Sequence, residues 1–425
     1  MSDGIQAVKG MNDILPEAIP YWNYIENILR TLTKSYGYKE IRTPLVEYTS
    51  LFKRTIGEVT DIVEKEMYTF SDKSGASLTL RPEGTASCVR AGIENSLFYN
   101  QAQRLWYLGP MFRHETQQKG RYRQFYQFGV EAFGLSGPDI DAELIFMLAS
   151  LWRVLKINGE LTLHINNIGT KEVRADYRNN LRVYFTKHIK LLDEDSRRRL
   201  SSNPLRILDS KNPEMQSLIN DAPNLLDYLD DKSKIHFAEL RRILDLANID
   251  YVVNSRLVRG LDYYCQTVFE WITAYSGAQN AVCGGGRYDY LVEQLGWKQA
   301  IPACGFALGM ERVIGLIANE KILTDKPDAY LIIVGNKAEQ EGLLLAEKIR
   351  AAVPSLSLVT NCGGGNFKNQ FKRADKSGAN LALILGDEEV AQHKIALKYL
   401  REEQTQIVLS LEEMITLLQE YILHK

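Results

Sequence analysis

The segment Arg104 to Gly134, RLWYLGPMFRHETQQKGRYRQFYQFGVEAFG, holds the densest set of residues able to do chemistry. It reads as two aromatic strands joined by a polar loop, HETQQKG. Side chains alternate faces along a strand. Arg121, Arg123, Phe125, Gln127, Gly129 and Glu131 therefore share one face of the returning strand, and Tyr122, Tyr126, Phe128 and Val130 share the other. The first face is a poor core and a good ligand floor, and Arg113 ends the outgoing strand close to it. Arginine offers a planar fork of donors to phosphate oxygens, a flat aromatic stacks on a purine, and a carboxylate receives an amine or imidazole N–H. The set points to phosphate, base and amine held together. A surface ladder of ion pairs is the plain alternative.

Two further constellations bear on the same chemistry. LTLRPEGTASCVR carries Arg81, Glu83 and Thr85 around a turn that enters a helix, and LVRGLDYYCQTVFEW carries Arg259, Asp262, Tyr263 and Tyr264. An unpaired Arg259 or Glu83 is costly in a core, so a structural ion pair explains them as well as a functional role does. In CGGGRYDYL three adjacent glycines allow close backbone approach to a ligand, and CGFALGMERVIGLI puts Arg312 in the first turns of an apolar helix. Other phosphate-binding solutions are missing: there is no GxxxxGK[ST] loop and no GxGxxG leading from strand to helix. The six histidines form no HExxH and no His/Cys cluster, so no transition-metal site is indicated. His114, beside Arg113, suits either a base or a residue that orients the loop.

These residues need elements to position them. Tyr24, Ile25, Ile28, Leu29 and Leu32 recur at helical spacing and stop at Gly37, which predicts a long opening helix. From Lys39 to about Leu163 the pattern turns to short β-rich runs, with helices near Thr85 to Ser96 and Ile140 to Leu155. Strands joined by short turns argue for a largely antiparallel sheet and against a doubly wound nucleotide fold. Residues 171–248 are charge-rich, Leu/Ile-spaced and punctuated by Pro204, Pro213 and Pro223, which reads as a helical insertion. Strand character returns at SRLVRGLDYYCQTVFEWIT, so the insertion interrupts one sheet domain, taken as residues 1–325 and ending in a helix near Gly309 to Asn319. In residues 326–425 the runs AYLIIVG, LSLVTN and NLALILG alternate with helical patterns at Lys337 to Ala352 and Asn366 to Lys376, the order of a small α/β domain with parallel pairing. The second of those helices carries Lys368, Lys372, Arg373 and Lys376, either an anion or RNA contact or a solvated face.

Composition bounds the answer from outside. The chain has 425 residues, 45% of them hydrophobic and 24% charged, which excludes disordered, collagen-like and disulfide-framework classes. A net charge of -2 gives no global attraction to polyanions, so any such partner must be held by local basic patches. Five widely spaced cysteines, never arranged as CxxC, make the cytoplasm the expected compartment. No run approaches the roughly 18 apolar residues of a membrane span.

Taken together, the motifs resemble the histidyl-tRNA synthetase family of class II aminoacyl-tRNA synthetases over nearly the whole chain. KGMNDILP and GYKEIRTPLVE resemble the family's start and its class motif 1, with the motif proline at Pro44. GPMFRHETQQKGRYRQFYQFGVEAFG resembles motif 2 and GFALGMERV motif 3. LVRGLDYYCQTVFEW and CGGGRYDYLVEQLG resemble the two sequences peculiar to the histidine enzyme. The resemblance implies an antiparallel catalytic sheet of six or seven strands flanked by helices, a helical insertion, a C-terminal α/β anticodon-binding domain and, from motif 1, a homodimer. It implies ATP as substrate with Mg2+, and L-histidine and tRNA(His) as partners. By position, Arg113 and Arg259 would hold the α-phosphate from opposite sides, Arg121 and Arg312 the distal phosphates, and Phe125 the adenine. Glu83, Thr85 and Gln127 match residues around the substrate amino group, Glu131, Tyr263 and Tyr264 those that read the imidazole, and Gln118 a position near the extra 5′ guanosine of tRNA(His). A catalytically silent regulatory paralogue is the rival; such proteins generally lose the Arg259-type arginine and the C-terminal domain, and both are present here.

Overall fold

The computed structural model describes residues 4–424 except 58, 59, 61, 117–120, 209, 211, 275–280 and 318–325. It divides into two compact units, residues 1–322 and 323–425, with the division inside the undescribed stretch 318–325.

The first unit opens with the expected helix, Ile19–Ser35, which buries Trp22, Ile25, Leu29 and Thr33 at spacings of three and four. Tyr24 falls off that stripe and is exposed. Strand β1 (Lys39–Glu40) follows, then β2 (Val46–Tyr48), β3 (Thr69–Ser71) and β4 (Ser77–Leu80), which form a separate three-stranded sheet in the order β2-β4-β3. The runs around IRTPLVEY and SLTLRP therefore build mainly a satellite sheet and not the main one. The aromatic hairpin is β5 (Gln103–Phe112) and β6 (Gln124–Phe133), paired antiparallel with Tyr107 opposite Gly129 and Leu105 opposite Glu131. Strands β7 (Leu161–Asn167), β8 (Tyr251–Val253), β9 (Cys265–Thr273), β10 (Ala281–Arg287) and β11 (Ala303–Gly309) complete a sheet ordered β1-β5-β6-β11-β10-β9-β7-β8. Its six inner strands are antiparallel, as expected; the short β1 and β8 add parallel edges, so the described sheet has eight strands.

One face of this sheet is core and the other is site. Phe128 and Val130 of β6, Trp106 of β5, Phe269 of β9 and Phe306 of β11 pack with the helices Ile19–Ser35, Pro138–Val154 and Asp231–Leu246. Pro138–Val154 is apolar almost all round, with Leu144, Ile145, Met147, Leu148 and Trp152 fully buried. Each such side chain contributes about 1.5–3 kcal/mol.

Residues 171–246 form the insertion between β7 and β8, built from Lys171–Lys187, Glu194–Ser202, Gln216–Asn220, Asp231–Leu246 and short 3-10 turns at the prolines. Its core residues Tyr177, Leu181 and Phe185 join the same cluster as Tyr107, Tyr263 and Tyr288 of the sheet side. The insertion belongs to the first unit and is also tied to it through His236, which meets Asp141 at 2.7 Å, the buried carboxylate that Arg287 at the end of β10 pairs with at 2.8 Å.

In the second unit β12 (Ala329–Val334), β13 (Leu358–Thr360) and β14 (Leu381–Gly386) are parallel and separated by the helices Asn336–Ala352 and Phe367–Lys376. The purely parallel expectation is corrected by β15 (Lys394–Tyr399) and β16 (Ile407–Ser410), which add on antiparallel in the order β13-β12-β14-β15-β16. In helix Phe367–Lys376, Arg373 is engaged by Asn361 Oδ1 and the Gly364 carbonyl, whereas Lys368, Lys372 and Lys376 face solvent.

Candidate active site

A pocket opens on the site face of the main sheet, lined by Glu83, Thr85, Arg113, Arg121, Phe125, Gln127, Arg259, Tyr263, Tyr264 and Arg312. Ten of the residues singled out from sequence thus converge from four separate segments of chain. Glu131 lies beneath the floor and Gln118 outside the described residues.

The floor alternates as expected from Phe125 to Glu131 but not before it. Strand β6 begins at Gln124, and ahead of it the backbone turns, so Tyr122 lines the pocket beside Arg121. Arg123, expected on the floor, does not line it; its carbonyl accepts from the Arg113 N–H at 2.9 Å and its N–H donates to the Gly10 carbonyl at 2.7 Å. His114 also stays off the lining, edge-on to Tyr68 at 5.7 Å.

Cations dominate one end of the pocket. Arg113 donates Nε to the Pro82 carbonyl at 2.8 Å and sits 5.3 Å from the Phe125 ring centroid, while Arg121 reaches Glu115 at 3.0 Å. Arg312 donates to the Ala281 carbonyl, and burial, with Arg121 and Arg113 adding to it, holds its pKa below the usual guanidinium value. Arg259 pairs with Glu270 of β9 and lies 5.6 Å from the Tyr264 ring centroid. Burial opposes the Arg259 charge most strongly, but Glu270, with Tyr264, Tyr263 and Cys283 adding to it, raises the pKa on balance. The guanidinium lies flat on β10 at Gly284, where a Cβ would collide with it. Four arginines around two carboxylates, Glu115 and Glu270, make a cradle for a polyanion.

The other end is acidic and aromatic. Glu83 accepts the N–H groups of Thr85 at 2.6 Å and Ala86 at 2.9 Å, capping the helix Thr85–Glu94. Burial pushes its pKa up and those two N–H bonds pull against it. Glu83 and Arg259 are not partners of each other: Arg259 pairs with Glu270, and Glu83 is held by backbone N–H groups. Glu131 accepts from Thr85 Oγ1 at 2.6 Å, from Tyr107 at 3.2 Å and from Tyr288. Burial raises its pKa to about 8. Only a glycine at 305 leaves room for that carboxylate at the pocket floor. Tyr263 and Tyr264 stack obliquely at 4.7 Å with Tyr288 edge-on behind them. Gln127 Oε1 is buried with no hydrogen-bond partner among the described residues.

Sequence reading missed Glu115, Glu270, Glu311, Tyr107 and Tyr288. Glu270 had a signal: it is the one charge in the apolar strand CQTVFEWIT, and such a charge demands a partner. Arg81, by contrast, is spent on structure, donating to Pro110 and Thr43 carbonyls.

The profile of the histidyl-tRNA synthetase family matches residues 10–313, and that of the anticodon-binding domain residues 328–421. The chain belongs to the histidyl-tRNA synthetase family. The apo histidyl-tRNA synthetase of S. aureus is 35% identical, covers 98% of this chain and all of its own length, and superposes with a TM-score of 0.81. The histidyl-tRNA synthetase of Nostoc sp. PCC 7120, 18% identical over 99% of this chain and 100% of its own, has a TM-score of 0.67. An ATP phosphoribosyltransferase regulatory subunit/histidyl-tRNA synthetase from Bacillus halodurans C, 22% identical over 90% of this chain and 97% of its own, has a TM-score of 0.62; both share the fold. As a member of this family the chain is a histidine–tRNA ligase. It activates L-histidine with ATP to histidyl-adenylate and pyrophosphate, then transfers histidine to the 3′ end of tRNA(His). No helix among the described residues is long and apolar enough to cross a membrane.

Proposed function

We propose that the pocket divides this reaction between its two ends, a reading carried by the arginine cradle facing the Glu83–Glu131 floor. Arg113 and Arg259 hold the α-phosphate of a bent ATP from opposite sides, Arg121 and Arg312 hold the β- and γ-phosphates, and Phe125 stacks on adenine. The histidine carboxylate attacks the α-phosphorus and pyrophosphate leaves toward Arg121 and Arg312. This chemistry asks for positioning and charge stabilisation and needs no protein nucleophile. Glu83, Thr85 and Gln127 take the α-amino group, whose positive charge favours the ionised form of Glu83 against the burial that raises its pKa. Glu131 and Tyr264, with Tyr263 against them, meet the two imidazole nitrogens. A residue lacking those nitrogens leaves the polar groups unpaired, which discriminates strongly. Gln118 contacts the 5′ end of tRNA(His), and residues 1–325 with the insertion 171–248 act as one catalytic domain.

Among the described residues no three acidic, histidine or cysteine side chains form a metal cage. Magnesium would enter with ATP, bound by the phosphate oxygens and by at most a carboxylate such as Glu270 or Glu311, and would neutralise phosphate charge there. Histidine-dependent ATP–pyrophosphate exchange tests the assignment: exchange is expected with histidine alone among the amino acids, and equal exchange with a second amino acid would remove the imidazole reading.

We further propose a homodimer built on the three-stranded sheet beside Pro44. Cross-strand neighbours Tyr48, Leu78 and Phe70 form an apolar row there, with Tyr48 63% and Phe70 45% exposed. A solvent-facing row of this kind suits a self-complementary contact. Sedimentation of a Tyr48→Asp, Phe70→Asp protein is expected to show a shift toward the monomer; an unchanged mass places the contact elsewhere. A cytoplasmic location agrees with five free cysteines, and cell fractionation tests it.

A further inference from the structure

Arg259 stands on the loop 254–264 between β8 and β9, a stretch with no strand ladder of its own. The insertion grips that loop on both sides of Arg259. Before it, Arg256 donates to the carbonyls of Pro223 at 2.8 Å, Asn220 at 2.9 Å and Ala222 at 2.5 Å. After it, Arg206 donates to the Gly260 carbonyl, Arg174 to the Asp262 carbonyl at 3.3 Å, and Asn203 Nδ2 to Asp262 Oδ1 at 3.1 Å. The rest of the unit holds the loop as well, at its start through the Asn254 N–H to the Ile165 carbonyl at 2.9 Å and nearer Arg259 through Asn166 Nδ2 to the Leu257 carbonyl at 3.0 Å and the Asp262 N–H to the Ile56 carbonyl at 3.2 Å.

The chemistry of these contacts is informative. Arg174 is buried, which opposes its charge, and neighbouring Arg178 adds to the penalty. Its partner at the loop is a main-chain oxygen. A cation placed this way repays its desolvation poorly, but a guanidinium fork fixes a carbonyl in direction as well as distance. The gripped backbone is the stretch whose placement decides where the Arg259 guanidinium meets Glu270 and the pocket.

We propose that Arg256, Arg206 and Arg174 are positioning residues for Arg259, so that the helical insertion governs the rate of the adenylate step through the turn it holds. This rests on the role given to Arg259 above. An error of about 1 Å in such a group costs up to roughly 10²-fold in rate.

The test uses full-length protein in ATP–pyrophosphate exchange. Arg256→Ala and Arg206→Ala are expected to lower kcat by on the order of tenfold to 10²-fold, with KM for histidine and for ATP close to the parent's. Arg206→Lys, which can still donate to the Gly260 carbonyl, recovers most of the rate. If the effect runs through Arg259, Arg206→Ala costs far less in an Arg259→Lys background than in the parent. Should Arg256→Ala fail to fold, Arg206 carries the test, because its contact lies near the surface. Parental kcat in Arg206→Ala, or a loss that multiplies undiminished on Arg259→Lys, overturns the proposal. Parental exchange in Arg259→Ala itself overturns instead the role of Arg259 on which it stands.

Discussion

An Arg259→Ala protein is expected to form histidyl-adenylate on the order of 10³-fold more slowly than the parent, the usual worth of a preorganised cation or donor at a transition state. Histidine binding, measured by calorimetry, is expected to persist, because Glu131 and its hydroxyl partners lie under a different part of the floor. Two effects combine in this variant. The cation proposed to face the developing charge is lost, and Glu270, its partner in the pocket, loses the contact with its guanidinium. The second effect is repulsive and can be separated from the first. In Arg259→Ala, Glu270→Gln the carboxylate charge is gone, and part of the rate lost returns if repulsion contributes. If the double variant regains the full parental rate, charge removal and not the guanidinium was the issue, and the transition-state role of Arg259 falls.

How far such roles can be read in sequence depends on what the partner atoms are. The floor from Phe125 to Glu131 was legible because alternation places Gln127 and Glu131 opposite Phe128 and Val130, and the two faces differ sharply in character. Alternation fails at Tyr122, where the strand has not yet begun, and no residue pattern announces that start. In the second unit β15 and β16 were not read, because the outward lysines of KIALKY break up its apolar run, although its partners β14 and β16 are its neighbours in the chain. The grip of Arg256 and Arg206 left no trace at all: their acceptors are main-chain carbonyls, which every residue possesses. Glu115 was visible only as a polar loop residue, and its task of sharing Arg113 and Arg121 is a matter of tertiary distance.

Glu131→Gln carries the second large effect, and it is selective for histidine. Glutamine keeps the volume and an oxygen that can accept from Thr85 and Tyr288, so the change removes the titratable proton with little change in packing. Where the bound imidazole takes the carboxyl's proton the bond is charge-assisted, and its loss is worth about 1.5–3 kcal/mol, or roughly a 10- to 100-fold fall in kcat/KM for histidine, with the KM for ATP unmoved. Equal changes in both KM values would place Glu131 outside the imidazole contact. The same substitution has a stability signature whose sign follows from burial. The Glu131 carboxyl ionises at about 8 in the folded protein, against its ordinary 4.5 in an unfolded chain. Between those values the folded state holds the extra proton, so this group's contribution is full below the ordinary value and is lost as pH climbs through about 8. Parental melting temperature is therefore expected to fall, relative to that of Glu131→Gln, as pH rises across this window. Parallel curves would show that the carboxyl is already ionised in the folded protein, with its hydroxyl partners outweighing the burial that pushes it toward the neutral form.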